Sequence, residues 1–241
     1  MKKVLLWLYQ PYKYLILLPI FIAETLFFTI WAWLFSFFSE KLSGKAAIAW
    51  AKIMQWLTPM PTEVVGEENI DKKQSYVVIC NHQSAYDIMA IYGSLPIDFR
   101  WIMKKELRNV PALGFACEKC GHIFIDRSSA RAAYRTLQEA KKVLVDGKSV
   151  VIFPEGTRSG TREMHAFKHG AFKMALDLGL PILPVSIKDT HIVMSKGLAS
   201  LRPGRVRLTI HKPFEITEAD YNREELEHHI EQLQATIASA L

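Results

Sequence analysis

Cysteine is scarce in this chain and odd in number: Cys80, Cys117 and Cys120 are the only three among 241 residues. That rules out a disulfide framework and favours a reducing compartment. Cys117 and Cys120 form a lone C-x-x-C with His122 close behind, so redox or zinc chemistry competes with the simpler reading of small apolar residues packing a helix end. The G-x-x-x-x-G-K-S/T spacing of a nucleotide-binding P-loop is missing, as are zinc-finger spacing and any interleaving of aromatic and basic residues. A nucleic-acid role therefore has no local support. There is no internal repeat and no low-complexity tract. Charge is the last thing missing, between Tyr14 and Phe38, where YLILLPIFIAETLFFTIWAWLFSFF holds no lysine or arginine and one acid, Glu24.

That run decides how the composition is understood. Half of all residues are hydrophobic and the mean hydropathy is +0.08, high for a soluble enzyme. The run is long enough to span a bilayer. Glu24 at the midplane costs ~3 kcal/mol and Pro19 weakens a helix. Against them stand fifteen Leu, Ile and Phe residues, each contributing roughly 0.3–0.6 kcal/mol. Insertion wins that sum. Lys2, Lys3 and Lys13 precede the run and Lys41, Lys45 and Lys52 follow it, so the positive-inside rule sets no orientation. Two geometries fit: a single span, and a helical hairpin broken near Gln10 and Pro11 that dips into one leaflet and returns. The run is too long, and lacks the small-residue pattern, for a cleaved signal peptide, so it is expected to be a permanent anchor. The net charge of +6 and pI near 9.1 suit an anionic membrane surface or nucleic acid equally.

The expected organisation is an anchoring helical segment over residues 1–60 and a catalytic domain over 61–241. Ala46 to Leu57 has helical spacing and ends before Pro59 and Pro61. YVVIC, ending at Cys80, reads as a buried strand followed by a helix from about Ser84 to Gly93. Further strands are expected at 123–125, 150–153, 182–187 and 206–210. Helices are expected at 129–145, at 166–178 closed by Gly179, and from about Thr217 to the end. This alternation predicts an α/β fold with a largely parallel sheet flanked by helices, whose ligands bind near the carboxyl ends of strands.

Two polar clusters directly follow buried strands. In Asn81-His82-Gln83-Ser84-Ala85-Tyr86-Asp87, a helix cap at Ser84 lets the chain fold His82 back to hydrogen-bond Asp87. A carboxylate on one ring nitrogen leaves the other as an oriented general base. The competing reading is a capped helix beside an incidental histidine. In Phe153-Pro154-Glu155-Gly156-Thr157-Arg158-Ser159, glycine permits close backbone approach and Arg158 offers the forked donors that match phosphate. Here the competing reading is a polar loop.

Together these residues resemble the glycerolipid acyltransferases, and among them the bacterial 1-acylglycerol-3-phosphate acyltransferases. The family's N-H-x-S-x-x-D matches Asn81 to Asp87 and its F-P-E-G-T-R-S matches Phe153 to Ser159. Gly121 to Arg127 resembles the second family motif, and Leu180 to Val185, with Pro181 and Pro184, the fourth. Met103 to Leu107 and Phe167 to Gly170 also look like family elements. The resemblance implies His82 as general base with Asp87 as its partner. It implies Glu155, Gly156, Thr157, Arg158 and Ser84 around the substrate, with Arg127 and Lys105 adding positive charge near a phosphate. The implied reaction moves an acyl group from acyl-CoA or acyl carrier protein to the sn-2 hydroxyl of 1-acylglycerol 3-phosphate, giving phosphatidic acid. No metal and no further cofactor is expected. Backbone donors near the Ser84 helix start are expected to hold the oxyanion. The implied setting is the inner membrane with the catalytic domain facing the cytoplasm. Rival expectations are the same chemistry on glycerol 3-phosphate, on a lysophospholipid with a larger head group or on an ornithine-type lipid, and a catalytically idle lipid-binding protein.

Overall fold

Apolar side chains all round a helix leave it no water-facing side, and the stretch Leu5–Ser36 is built that way. The computed structural model describes residues 2–110, 113–126, 128–142, 144, 147–216 and 223–241. Helix α1 (Lys2–Tyr12) runs through a π-helical turn (Lys13–Leu17) into α2 (Leu18–Ser36) without a break at Gln10 or Pro11. Pro19 has no N–H for the carbonyl of Leu15, and the wider π turn absorbs that missing bond. The stretch Leu5–Ser36 is long and apolar enough to cross a membrane.

A helical hairpin does form, but its turn lies at Phe37–Ser39. There Phe38 and Ser39 donate their N–H groups to the Phe35 carbonyl, and Ser39 caps α3 (Glu40–Leu57) by accepting from the Leu42 N–H. The capping serine decides the position of the turn, where a proline near the start of the apolar run does not. Ser43 Oγ donates to the Ala32 carbonyl at 2.9 Å and Trp50 Nε1 to Thr25 Oγ1 at 3.1 Å, which seals α2 against α3.

The rest is a sheet between helices. Its strands are β1 (Thr62–Val65), β2 (Val77–Cys80), β3 (Phe99–Lys104), β4 (Ile123–Ile125), β5 (Ser149–Ile152), β6 (Ile182–Lys188) and β7 (Val206–Ile210). Their order is β1-β7-β6-β2-β5-β3-β4, and every neighbouring pair is parallel except β6 with β7. The expected α/β architecture is therefore present. The strands at 62–65 and 99–104 were not expected: the first alternates half-buried and exposed residues, and the second carries Arg100 and Lys104 among apolar ones.

The helices on the sheet are α4 (Asp87–Ser94), α5 (Leu113–Lys119), α6 (Ala130–Lys141), α7 (Gly170–Leu178), α8 (Thr190–Val193) and α9 (Arg223–Ala238). Helix α7 stops where Gly179 takes φ +65°, a left-handed position that suits glycine. Successive residues of β2 go to opposite faces: Val77 and Ile79 join one core with Leu137, Phe172 and Leu233, while Val78 and Cys80 join another with Met54, Tyr86 and Ile91. The second core is the one that α3 covers. Strand alternation thus sends the side chain two residues beyond Cys80 toward the α2–α3 hairpin, and that residue is His82.

Candidate active site

Strands β2 and β5 are parallel neighbours, with Ile79 opposite Ile152. Three residues further on, in the loops leaving both strands, His82 and Glu155 meet. The two polar clusters are stitched together there: Ser159 N–H donates to the His82 carbonyl at 2.8 Å and Gly160 N–H to the Gln83 carbonyl at 3.1 Å. Loops that leave adjacent parallel strands at the same end must lie side by side, which is why distant motifs share one site.

His82 Nδ1 lies 2.7 Å from Asp87 Oδ2. Asp87 is fully buried, and the same oxygen accepts the backbone N–H groups of Gln83 at 2.8 Å and Ser84 at 2.9 Å. Its other oxygen accepts from Thr190 Oγ1. Ionised, this acid can only accept hydrogen bonds, so His82 Nδ1 carries the proton and Nε2 keeps a free lone pair. Nε2 has no partner among the described residues, and the side chain stays 15% exposed. The ring stacks on Phe153 at 3.9 Å between centroids, and Phe153 stacks on Trp101. The dyad is therefore held on one face by hydrogen bonds and on another by aromatic packing.

The route to this geometry differs from a serine cap. Ser84 Oγ accepts from Tyr86 N–H and donates to the Met194 carbonyl, and it is Asp87 that takes up the backbone donors at the turn. The N–H groups of Gln83, Ser84 and Tyr86, which were among those expected to hold an oxyanion, are thus taken up inside the turn. Ser84 is buried with its hydroxyl engaged in this way and does not line the catalytic cavity.

Glu155 also differs from its expected place. It is buried, and its two oxygens accept the backbone N–H groups of His82 at 2.6 Å and His165 at 2.8 Å. Burial pushes its carboxyl above the usual range, against the pull of those two donors. Glu155 is thus a clasp on the backbone of His82 and is absent from the cavity lining. Gly156 has φ +74°, and Gly156, Thr157 and Arg158 line the cavity together with His82. Arg158 is exposed and forms no ion pair among the described residues. Lys105 does not line the cavity; it pairs with Asp126 at 2.8 Å and holds that carboxyl well below its usual range. Arg127 lies outside the described residues.

The cavity holds about 600 Å³. Its polar end is His82 with Gly156 to Arg158; its apolar wall runs through Trp101 to Phe28 and Ala32 on α2 and Trp50 on α3. Cys117, Cys120 and His122 belong to that wall. Cys120 Sγ sits 3.6 Å from Ser43 Oγ, while His122 Nδ1 accepts from Trp101 N–H and Nε2 lies 2.5 Å from the Tyr92 hydroxyl. Among the described residues no group of three His, Cys, Asp or Glu side chains is arranged to hold a metal. Thr190 and the Trp101 ring carried no signal in the sequence, since each acts through a contact distant along the chain, and Phe153 stood in the second cluster without its stacking on His82 being foreseen.

The Acyltransferase family model matches residues 61–188. A 1-acyl-sn-glycerol-3-phosphate acyltransferase of Chlamydomonas reinhardtii is 36% identical over 151 residues, 62% of this chain and 45% of that protein. One of Borreliella burgdorferi is 32% identical over 176 residues, 73% of this chain and 70% of that protein. The crystal structure of the 1-acyl-sn-glycerophosphate (LPA) acyltransferase PlsC of Thermotoga maritima superposes with a TM-score of 0.78 at 29% identity, covering 100% of this chain and 97% of that one. The chain spans about half the length of several curated relatives it matches. With the family model across more than half of its residues, and a relative that is 32% identical and covered over 70% of its length, the chain belongs to the acyltransferase family.

Proposed function

We propose that this protein transfers a fatty acyl group from a thioester carrier, acyl-CoA or acyl carrier protein, to the sn-2 hydroxyl of 1-acylglycerol 3-phosphate, giving phosphatidic acid. The observation that carries this reading is the His82–Asp87 pair at 2.7 Å, its free Nε2 opening on a cavity that is apolar toward the membrane-type helices and cationic at Arg158. His82 Nε2 takes the proton of the attacking hydroxyl, and Asp87 stabilises the imidazolium that forms. The alkoxide adds to the thioester carbonyl. Collapse of the tetrahedral intermediate breaks the carbon–sulfur bond, and the departing thiolate takes the proton back from His82. The acyl chains lie along the Phe28, Ala32 and Trp50 wall, where burying each methylene gains about 0.8 kcal/mol.

Arg158 and the open Gly156 turn receive the acceptor's phosphate. The backbone N–H groups of Thr157 and Arg158, which have no partner among the described residues, are the donors in reach of the oxyanion. Residues 1–60 act as the anchor, and the catalytic part 61–241 works at the cytoplasmic face of the inner membrane, where thioester carriers are found.

The test is thioester cleavage by purified protein in detergent, with acyl-CoA or acyl carrier protein as donor and 1-acylglycerol 3-phosphate, glycerol 3-phosphate and larger lysolipids as acceptors. Turnover should favour 1-acylglycerol 3-phosphate, and His82→Ala should lower kcat by roughly a hundred- to ten-thousand-fold while the protein stays folded. Preference for another acceptor keeps the mechanism and changes the substrate. No turnover by the native chain with any pair would leave a lipid-binding protein, and an active His82→Ala would end the base assignment.

A further inference from the structure

A second cavity, of about 450 Å³, shares Arg158 with the catalytic one. Its walls are the start of the loop after β2, the end of the F-P-E-G-T-R-S loop and the segment Met194–Gly197 that follows α8. Two of its nine lining residues are cations, Arg158 and Lys196, and none is a carboxylate. Neither cation has an ion pair among the described residues. Gln83, also in the lining, is 2% exposed: its Oε1 lies 3.0 Å from His191 Nδ1, while its amide Nε2 has no hydrogen-bond partner. A buried amide donor left without an acceptor is costly and calls for one.

The walls are pinned before any ligand arrives. Ser84 Oγ donates to the Met194 carbonyl at 2.6 Å, Lys196 N–H to Ser200 Oγ at 2.8 Å, and Lys13 Nζ to the Ala199 carbonyl at 2.8 Å. A preformed cavity of this size with convergent donors and no acid is the setting of a small anion. Two cations and an amide donor from three segments of chain suit a group with several acceptor oxygens, and a phosphate monoester is such a group. Gln83 directly follows His82, and Arg158 lines both this cavity and the one on which His82 opens, which sets the second cavity beside the dyad.

We propose that Lys196 and the Gln83 amide complete, with Arg158, a phosphate-binding pocket beside the dyad, and that Lys196 determines preference for the phosphate-bearing substrate. The source of the phosphate rests on the function proposed above, since both the acceptor and the phosphopantetheine arm of the donor carry one; the pocket itself does not. The experiment is steady-state kinetics of the full chain in detergent, comparing Lys196→Ala and Lys196→Arg with Lys212→Ala, which removes an equal charge elsewhere on the surface. Lys196→Ala should raise the KM for one substrate roughly tenfold or more with kcat retained. Lys196→Arg should restore it in part, and Lys212→Ala should leave it unchanged.

A change confined to the acceptor places the acceptor's phosphate in the pocket. A change confined to the thioester places the donor's phosphate there, and both results uphold the pocket. Unchanged KM for both substrates, or an equal change in Lys212→Ala, overturns it. If the native chain shows no turnover at all, calorimetric titration of glycerol 3-phosphate, with glycerol as the phosphate-free reference, decides separately. Binding lost in Lys196→Ala but kept in Lys212→Ala upholds the pocket without the transferase reading, and equal binding in the two variants overturns it.

Discussion

Asp87 holds the site together at the scale of single residues, and removing it does more than remove the partner of His82. Four donors converge on its carboxylate, from His82, Gln83, Ser84 and Thr190. Truncation leaves them buried without an acceptor at about 1–3 kcal/mol each. Asp87→Ala is therefore expected to lower the unfolding midpoint sharply, whereas Asp87→Asn keeps the shape and loses turnover by misdirecting the His82 tautomer. Denaturation and kcat measured on both variants check this, and a stable, active Asp87→Ala would refute it. His122 makes a separate prediction. Burial pushes its pKa down to about 3, with Arg100 adding to the effect, while the unfolded chain returns it to about 6.5. Between those values the unfolded state binds the extra proton, so stability rises with pH across the window and is lost as pH falls through it. His122→Phe should flatten the acid slope of the urea midpoint in that window. Burial also lowers His191 and His211, so the slope shrinks without vanishing. An unaltered slope would take His122 out of the account.

Helices and strands carry the next level of argument. The α2–α3 hairpin walls the cavity with Phe28, Ala32 and Trp50, and Arg100 on β3 reaches Glu40 at the start of α3, tying hairpin to sheet. Position 32 is the tightest place on that wall, since Ala32 is 4% exposed and packs with Phe28, Ala46 and Cys120. Ala32→Leu is expected to fill the apolar end and shift preference toward shorter acyl donors by several-fold, because one or two methylenes in an apolar pocket change binding roughly tenfold. Competition between long and short acyl thioesters reads this directly; an unshifted ratio would mean that the acyl chain takes another path. The π turn and the Ser39 cap belong to the same scale. They set the angle and the end of α2, and neither follows from the hydrophobic count that predicted an anchor.

Taken whole, the molecule has two means of meeting a membrane. Trp7, Leu15, Phe38 and Trp56 are more than three-quarters exposed on the N-terminal helices and the turn between them, an apolar surface that water does not favour. The net charge of +6 adds attraction to anionic lipid, about 1 kcal/mol for each cation near the surface. Salt screens the second within about a Debye length and leaves the first intact. Protein bound to anionic vesicles is therefore expected to stay bound through a 1 M salt wash and to leave only with detergent. Release by salt alone would make electrostatics the dominant contact and the apolar helices peripheral.

Local chemistry was sufficient for much of this. Apolar residues between turn residues marked five of the seven strands: β2, β5 and β6 are buried on both faces and need an unbroken run, while β7 alternates buried with more exposed residues. The clusters after β2 and β5 pointed to His82, Asp87 and Arg158, and the structure pairs His82 with Asp87 at 2.7 Å and sets Arg158 on the cavity that His82 lines. The strands at 62–65 and 99–104 stayed hidden, since a mixed pattern becomes a strand only when a neighbour supplies the hydrogen bonds. Tertiary structure alone decided that Thr190, 103 residues from Asp87, completes that carboxylate's partners. It alone turned Glu155 from a ligand of substrate into a clasp on the backbone of His82. It also joined Arg158 to Lys196 and Gln83 around a second cavity. Periodicity and spacing report what a residue does with its near neighbours, whereas a buried polar group is settled by whichever partner the fold brings to it.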